Sequence, residues 1–98
     1  MATFEGKIKH ITDVKEFTRS KLIEFVVEED IPENSTDKKG NKIYPQTAVF
    51  TAFDNLIDDV QKFKKGDKVE VLFKYRSRES NGRWWVSLNI DGIEKSMF

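Results

Sequence analysis

Residues 54–63 read DNLIDDVQKF, and here the apolar spacing changes from the two-residue period of a strand to the period of a helix. One side of the predicted helix carries Leu56, Val60 and Phe63. Asp54 or Asn55 is a favourable N-cap, further acids occupy the first turns, and a Lys-Lys-Gly sequence follows. The stretch therefore predicts one short amphipathic helix.

Five segments around this helix alternate apolar and polar residues, as strands with one buried face do. Three precede the helix and two follow it: residues 4–11, 22–29, 47–53, 68–77 and 82–93. In the third segment Thr47 and Thr51 mark the polar face. Because alternate side chains point to opposite sides, Phe50 is directed inward and Phe53 outward.

The resulting order, β-β-β-α-β-β, predicts a mainly β protein with the OB-fold, a five-stranded Greek-key barrel. An SH3-like barrel ranks second because it lacks a helix between strands three and four. The length of 98 residues predicts a single domain, 1–98. Polar residues 12–20 are a predicted loop. Residues 30–46 form a longer loop, with a small hairpin tip at 38–42.

Composition excludes several classes of protein. The chain has no cysteine, which excludes disulfides and thiolate metal sites, and no apolar run or leader pattern indicates a membrane span or a signal peptide. The expected location is the cytoplasm, without a membrane partner. Seventeen basic and seventeen acidic residues give zero net charge. The charge is unevenly distributed, however: residues 62–85 contain eight Lys/Arg and three acids, and residues 28–37 contain five acids and no base.

Catalytic and metal-binding signatures are missing from the sequence. It has no nucleophile elbow, no phosphate-binding glycine loop and no second imidazole beside His10, which is predicted to pack at the barrel rim. The acids of residues 28–37 lack the spacing of a calcium loop. We expect no enzymatic activity and no cofactor.

The last two strands are joined by Asn81-Gly82, a strong signal for a type I′ hairpin turn. This turn pairs Ser80 with Arg83 and Arg78 with Trp85, and the pairing continues to Tyr75 with Leu88. One face then carries Trp84, Tyr75, Phe73, Val86, Leu88 and Ile90, which predicts Trp84 as a core residue. A register error of one residue would exchange the two faces.

The opposite face of the hairpin is basic, with one large aromatic side chain at its centre. It carries Lys74, Arg76, Arg78, Arg83 and Trp85. Cations beside an exposed aromatic ring are typical of a groove for single-stranded nucleic acid, where phosphates meet the cations and bases stack on the ring. The alternative is structural: Arg78 and Trp85 form a cross-strand cation–π pair on a solvated face.

Four further residues are candidate contacts. Phe17 and Arg19 lie in the first loop, which OB-folds use for oligonucleotides, although Phe17 is equally suited to plug the barrel. Tyr44 flanks the long loop. Phe53 points outward if Thr47 and Thr51 mark the polar face of their strand.

Several stretches resemble a small bacterial and phage family of OB-fold proteins related to single-stranded-DNA-binding proteins. They are FEGKIKHI (4–11), Tyr44-Pro45, AFDNLIDDVQKFKKGDKVEV (52–71) and SRESNGRWW (77–85). The resemblance implies binding of single-stranded DNA in replication, recombination or repair, with contacts from Arg78, Arg83 and Trp85. The similarity breaks at residues 30–43. The ending IEKSMF has a terminal Phe98 but little acid, so recruitment of partners through an acidic tail is not expected.

The leading hypothesis is therefore a non-catalytic, largely sequence-independent single-stranded-DNA-binding protein. The sequence leaves three matters open: binding of RNA instead, formation of a homo-oligomer, and contact with replication or recombination proteins. A rival hypothesis is a protein-interaction module or phage assembly subunit that uses the acidic segment 28–37 or an open barrel edge.

Overall fold

The computed structural model describes residues 2–32 and 34–96. Its elements, in chain order, are β1 (Ala2–Ile11), β2 (Lys15–Glu16), β3 (Lys21–Glu28), β4 (Thr47–Phe53), α1 (Asn55–Gln61), β5 (Lys68–Ser80) and β6 (Arg83–Lys95). The five long strands and the helix confirm the predicted order. The two-residue strand β2 lies in the predicted first loop, where it pairs with the start of β3.

The strands form one sheet that closes into a barrel. They are hydrogen-bonded in the order β1-β5-β6-β4-β3-β2, and β1 also pairs with β3, which closes the ring. A bulge between Ile8 and His10 bends β1 so that it can pair with both neighbours. Backbone pairing between β4 and β6 is limited to one parallel pair, Thr51 with Asn89. The architecture is the predicted OB-fold.

Phe50 lies at the centre of the barrel core and is fully buried. Its ring centroid is 5.7 Å from that of Phe4, 5.6 Å from that of Phe25 and 5.0 Å from that of Phe73. The other buried apolar residues are Ile8, Ile23, Val27, Ala52, Ile57, Val60, Val69, Val71 and Ile90. Ala52 is also buried and Phe53 is exposed, so the side of β4 predicted from the threonines is confirmed.

The helix covers one end of this core through Ile57 and Val60, with Leu56 and Phe63 partly buried. Asp54 occupies the N-cap position, but its carboxylate makes no capping hydrogen bond. Instead, Asp54 Oδ1 accepts a hydrogen bond from the backbone N–H of Lys21 at 3.1 Å. The predicted cap therefore ties the start of the helix to the start of β3.

The β5–β6 hairpin has the predicted turn and register. Asn81 and Gly82 have φ angles of 52° and 76°, and every predicted pair from Ser80–Arg83 to Tyr75–Leu88 is present. Both strands are 13 residues long. Pairing of β1 with β5 ends at Phe73, so the rest of the hairpin continues past the barrel core.

The prediction that Trp84 is a core residue is wrong. Trp84 is 70% exposed, and Tyr75 and Val86, predicted on the same inward face, are 69% and 64% exposed. The face predicted for these three residues is nevertheless correct, since Phe73 and Ile90 on the same face are buried. Among the described residues, the pairing of β1 with β5 ends at Phe73, so this part of the hairpin lies past the closed barrel.

The long loop contains the predicted small hairpin tip. Thr36 and Lys42 form an antiparallel bridge. Between them, Asp37 Oδ1 accepts hydrogen bonds from the backbone N–H groups of Lys39 and Asn41, and Gly40 has a φ of 83°. The loop is thus held by its own hydrogen bonds at this tip.

Candidate functional site

A cleft of about 720 Å³ crosses the outer face of the barrel. Residues of β3, β4, β5 and β6 form it, together with Lys15 in β2 and Phe17 directly after β2. The lining residues are Lys15, Phe17, Leu22, Glu24, Thr51, Phe53, Arg76, Ser77, Arg78, Ser87 and Asn89. The cleft thus brings together four of the predicted contact residues, which come from three distant parts of the sequence.

Two aromatic side chains are exposed in the cleft. Phe17 is 59% exposed and Phe53 is 38% exposed. The backbone N–H of Phe17 donates to the carbonyl of Ser20 at 2.7 Å, a turn that places Phe17 at the cleft rather than in the barrel. Phe17 is therefore exposed at the cleft and does not plug the barrel.

The positive charge of the cleft comes from Arg76 and Arg78, which alternate on β5 and so point to the same side. In the described part of the chain neither has an ion-pair partner. Lys15 Nζ, by contrast, lies 3.3 Å from Glu24 Oε1 within the cleft. The two arginines therefore supply charge that no neighbouring carboxylate neutralises.

Trp85 extends this surface beyond the cleft. It is 53% exposed and lies directly opposite Arg78 across the β5–β6 ladder. Within residues 2–32 and 34–96, a cation–π contact is found between Lys42 and Tyr44 but not between Arg78 and Trp85. The structural alternative for this pair is thus not realised, and the indole surface is open.

The remaining hairpin cations differ in their surroundings. Arg83 is exposed beside the turn and has no ion-pair partner among the described residues. Lys74 Nζ lies 3.8 Å from Asp91 Oδ1, which partly offsets its charge. Both are on the arginine face of the hairpin but do not line the cleft.

Two predicted contacts lie away from the cleft lining. Arg19 is exposed near Phe17 in sequence but is not a lining residue. Tyr44 is 67% exposed in the long loop, with Lys42 Nζ 5.3 Å from its ring centroid. The structure thus does not unite Tyr44 with the arginines.

Sequence reasoning missed Lys15, Leu22 and Glu24 as lining residues. A signal for two of them was present: in the alternating segment 22–29, Leu22 and Glu24 share one face and Ile23 and Phe25 share the other. The position of Lys15 depends on β2, which has only two residues and no detectable period.

Two acids of the segment 28–37, which was proposed as a rival contact surface, form ion pairs within the chain. Glu28 pairs with Lys9 at 3.5 Å, and Asp30 pairs with Lys68 at 3.0 Å and with Lys7 at 3.7 Å. The hydrogen bond from Lys68, with the charges of both lysines, lowers the pKa of Asp30. Such contacts reduce the negative field available to an external partner.

The described residues contain no group of three or more acidic or histidine side chains suited to hold a metal ion. They also contain no helix of the length and apolarity needed to cross a bilayer.

Comparison with known protein families assigns residues 3–94 to the family described as Domain of unknown function (DUF3127). The chain belongs to the DUF3127 family. No curated protein matches this DUF3127 chain.

Solved structures with the same fold include two named as single-stranded DNA-binding proteins and one domain of PriB. The small single-stranded DNA-binding protein from Streptomyces coelicolor has a TM-score of 0.62 at 17% identity, with 98% of this chain and 93% of that chain covered. The dimeric N-terminal domain of PriB from Thermoanaerobacter tencongensis has a TM-score of 0.63 at 17% identity, with 97% and 93% covered.

A deletion mutant of the single-stranded DNA binding protein from Thermus aquaticus has a TM-score of 0.68 at 15% identity. The alignment covers 96% of this chain and 48% of that one. These similarities confirm that the DUF3127 chain has the OB-fold that these structures share.

Proposed function

We propose that this protein binds single-stranded DNA without catalysis and with little dependence on base sequence. The observation that carries the proposal is the cleft in which Arg76 and Arg78, without ion-pair partners among the described residues, lie with exposed Phe17 and Phe53. Two of the solved structures with the same fold are named as single-stranded DNA-binding proteins, which supports it.

In the proposed mechanism, the DNA makes two kinds of contact with the protein. Guanidinium groups of Arg76 and Arg78 bind phosphates, since a planar fork of donors matches phosphate oxygens. Bases stack on Phe17 and Phe53, and the strand continues along the hairpin to Trp85. Each stacked base contributes about 1–3 kcal/mol.

Single strands are preferred over duplexes because stacking needs bases whose faces are free. Sequence has little effect because every base offers a flat π-surface to a phenyl or indole ring. Arg83 and Lys74 extend the phosphate track along the hairpin, Lys74 more weakly because Asp91 lies near it. We place this role in DNA replication, recombination or repair in the bacterial or phage-infected cytoplasm.

The test is a fluorescence-anisotropy titration of labelled oligo-dT over a salt series. With about four phosphate contacts on a single strand, log K should fall against log salt with a slope near −3. Unlabelled duplex DNA of the same sequence should compete poorly.

Three outcomes separate the hypotheses. Equal or stronger competition by a matched RNA strand would assign the cleft to RNA. A folded protein that fails to bind any oligonucleotide at low salt would refute the proposal. In that case, a defined protein complex recovered from cells would favour the interaction-module alternative.

A further inference from the structure

The two faces of the projecting hairpin differ sharply in chemistry. One face carries Lys74, Arg76, Arg78, Arg83 and Trp85. The other, here named the apolar hairpin face, consists of Tyr75, Trp84 and Val86, all more than 60% exposed. The charged residue that shares this second face is Glu79, opposite Trp84 near the turn. The cations and the apolar residues are thus segregated on opposite sides.

Nucleic acid is not the ligand of the apolar hairpin face, because that face offers no cation to a phosphate. Exposure of the apolar hairpin face to solvent alone is also unfavourable, since contiguous exposed apolar side chains such as these often mark interaction surfaces. The chemistry that fits is another apolar protein surface with little charge.

We propose that this surface is a second apolar hairpin face, so that two copies of this chain form a symmetric dimer through their hairpins. A two-fold axis makes the same residues meet reciprocally. Stacking these two faces buries no arginine and keeps both sets of arginines on the outside, where they repel least and remain accessible.

Each copy also offers a place for the partner's tryptophan. A shallow apolar depression of about 460 Å³, lined by Ala2, Phe73, Lys74 and Tyr75, lies at the base of the hairpin. The Tyr75 ring packs edge-on against Phe73, with centroids 5.5 Å apart. Trp84 lies opposite Glu79, four residues along β5 from Tyr75, which is about 14 Å at the rise of a strand. Two hairpins stacked antiparallel therefore place each Trp84 over the partner's depression.

The area is consistent with a dimer of modest strength. The exposed parts of two aromatic side chains and one valine supply roughly 400 Å² per copy. A standard interface uses about 800 Å² per partner, and the depression, Glu79 and the hairpin edges supply further contact area. Trp84 is placed as a central anchor, the type of residue that dominates interface energies.

The first test measures mass by sedimentation velocity over a range of concentrations, without DNA. We expect a monomer–dimer equilibrium, and Trp84→Ser should weaken dimerisation by about 30-fold or more. Trp85→Ser is the matched control, since it removes the same side chain from the same hairpin on the opposite face. Circular dichroism of both variants checks that the barrel is folded.

The second test maps the contact directly. The chain has no cysteine, so Val86→Cys and Ser87→Cys each introduce a single thiol, on opposite faces at adjacent positions. A short bis-maleimide should cross-link Val86→Cys into dimers and leave Ser87→Cys largely monomeric.

Three results would overturn the dimer. They are a wild-type protein that is monomeric at all concentrations, a Trp84→Ser variant that dimerises normally, and equal cross-linking at both positions. The proposed dimer contact shares Lys74 with the arginine face, at the edge of the depression. Neither Trp84→Ser nor Val86→Cys changes Lys74 or an arginine, so loss of dimerisation and loss of DNA binding are distinguishable results.

Discussion

Arg78 and Trp85 lie directly opposite one another on β5 and β6, yet they do not stack. The guanidinium group is left without an ion-pair partner in the described chain, and the indole is 53% exposed. A cation and an aromatic surface that do not satisfy each other are both available to a ligand. The following predictions concern that availability and the stability of the barrel beneath it.

The arginines of the cleft should account for about half of the salt dependence of DNA binding. In Arg76→Gln/Arg78→Gln, loss of two of four phosphate contacts should reduce the log–log slope from about −3 to about −1.4. The salt-series titration measures this slope. Lys64→Gln/Lys65→Gln removes the same charge beyond the end of α1 and should leave the slope unchanged; an equal effect would indicate a general charge effect instead of a site.

Trp85, rather than Trp84, should report DNA binding. The chain has two tryptophans, so Trp84→Phe leaves Trp85 as the sole indole and Trp85→Phe leaves Trp84. Stacking of a base should quench the emission of Trp85, whereas Trp84 faces away from the arginines. Strong oligo-dT quenching in the Trp85→Phe protein would contradict this assignment of faces.

Phe53 should contribute a stacking platform to the cleft. Phe53→Ala is expected to weaken oligo-dT binding by about 1–3 kcal/mol, which corresponds to roughly 5- to 150-fold. Val49→Ala is the control: Val49 lies on the same face of β4, is 51% exposed and does not line the cleft. Unaltered affinity in Phe53→Ala would remove this residue from the proposed track.

Glu70 should destabilise the fold at neutral pH. It lies between Glu5 on β1 and Glu94 on β6 in adjacent cross-strand pairs. Partial desolvation, followed by the charge of Glu5, a hydrogen bond with it and the charge of Glu94, raises the pKa of Glu70 above its ordinary value of 4.5. The folded state then holds the proton more tightly than the unfolded state. The free energy of unfolding therefore falls as the pH rises from the ordinary pKa of Glu70 through its raised pKa in the folded protein.

The variant Glu70→Gln should therefore raise the melting temperature at pH 7, and its advantage should disappear below pH 4.5. Thermal unfolding followed by circular dichroism at several pH values measures this change in melting temperature. Glu79→Gln, near the hairpin turn, removes one carboxylate from outside this row and should give no comparable gain. A gain that persisted unchanged in acid would point to a cause other than ionisation.

Gly6 should be irreplaceable at the junction of β1 with β3. A Cβ added there would overlap the backbone carbonyl oxygen of Glu28, which has no flexible end to move away. We expect Gly6→Ala to destabilise the protein by about 1–3 kcal/mol. Gly92→Ala is the control, because its Cβ would meet Leu72 Cδ1 at an ordinary 3.7 Å. Urea unfolding of both variants measures the difference.

The sequence by itself determined the features that depend on neighbours along the chain. Asn81-Gly82 favours one turn type, that turn sets the register of β5 with β6, and strict alternation then sorts every side chain to a face. The same local logic gave the helix between the third and fourth long strands and directed Phe53 outward.

Tertiary structure decided how far the barrel core extends along the hairpin and which loops meet there. Parity assigns Trp84 and Phe73 to the same face, but burial requires that the barrel close around that face, and the pairing of β1 with β5 ends at Phe73. The meeting of Phe17 with Arg76 and Arg78 likewise depends on barrel closure. Alternation is a property of each strand alone, whereas burial depends on what packs across it, which is why Trp84 was assigned to the correct face and wrongly to the core.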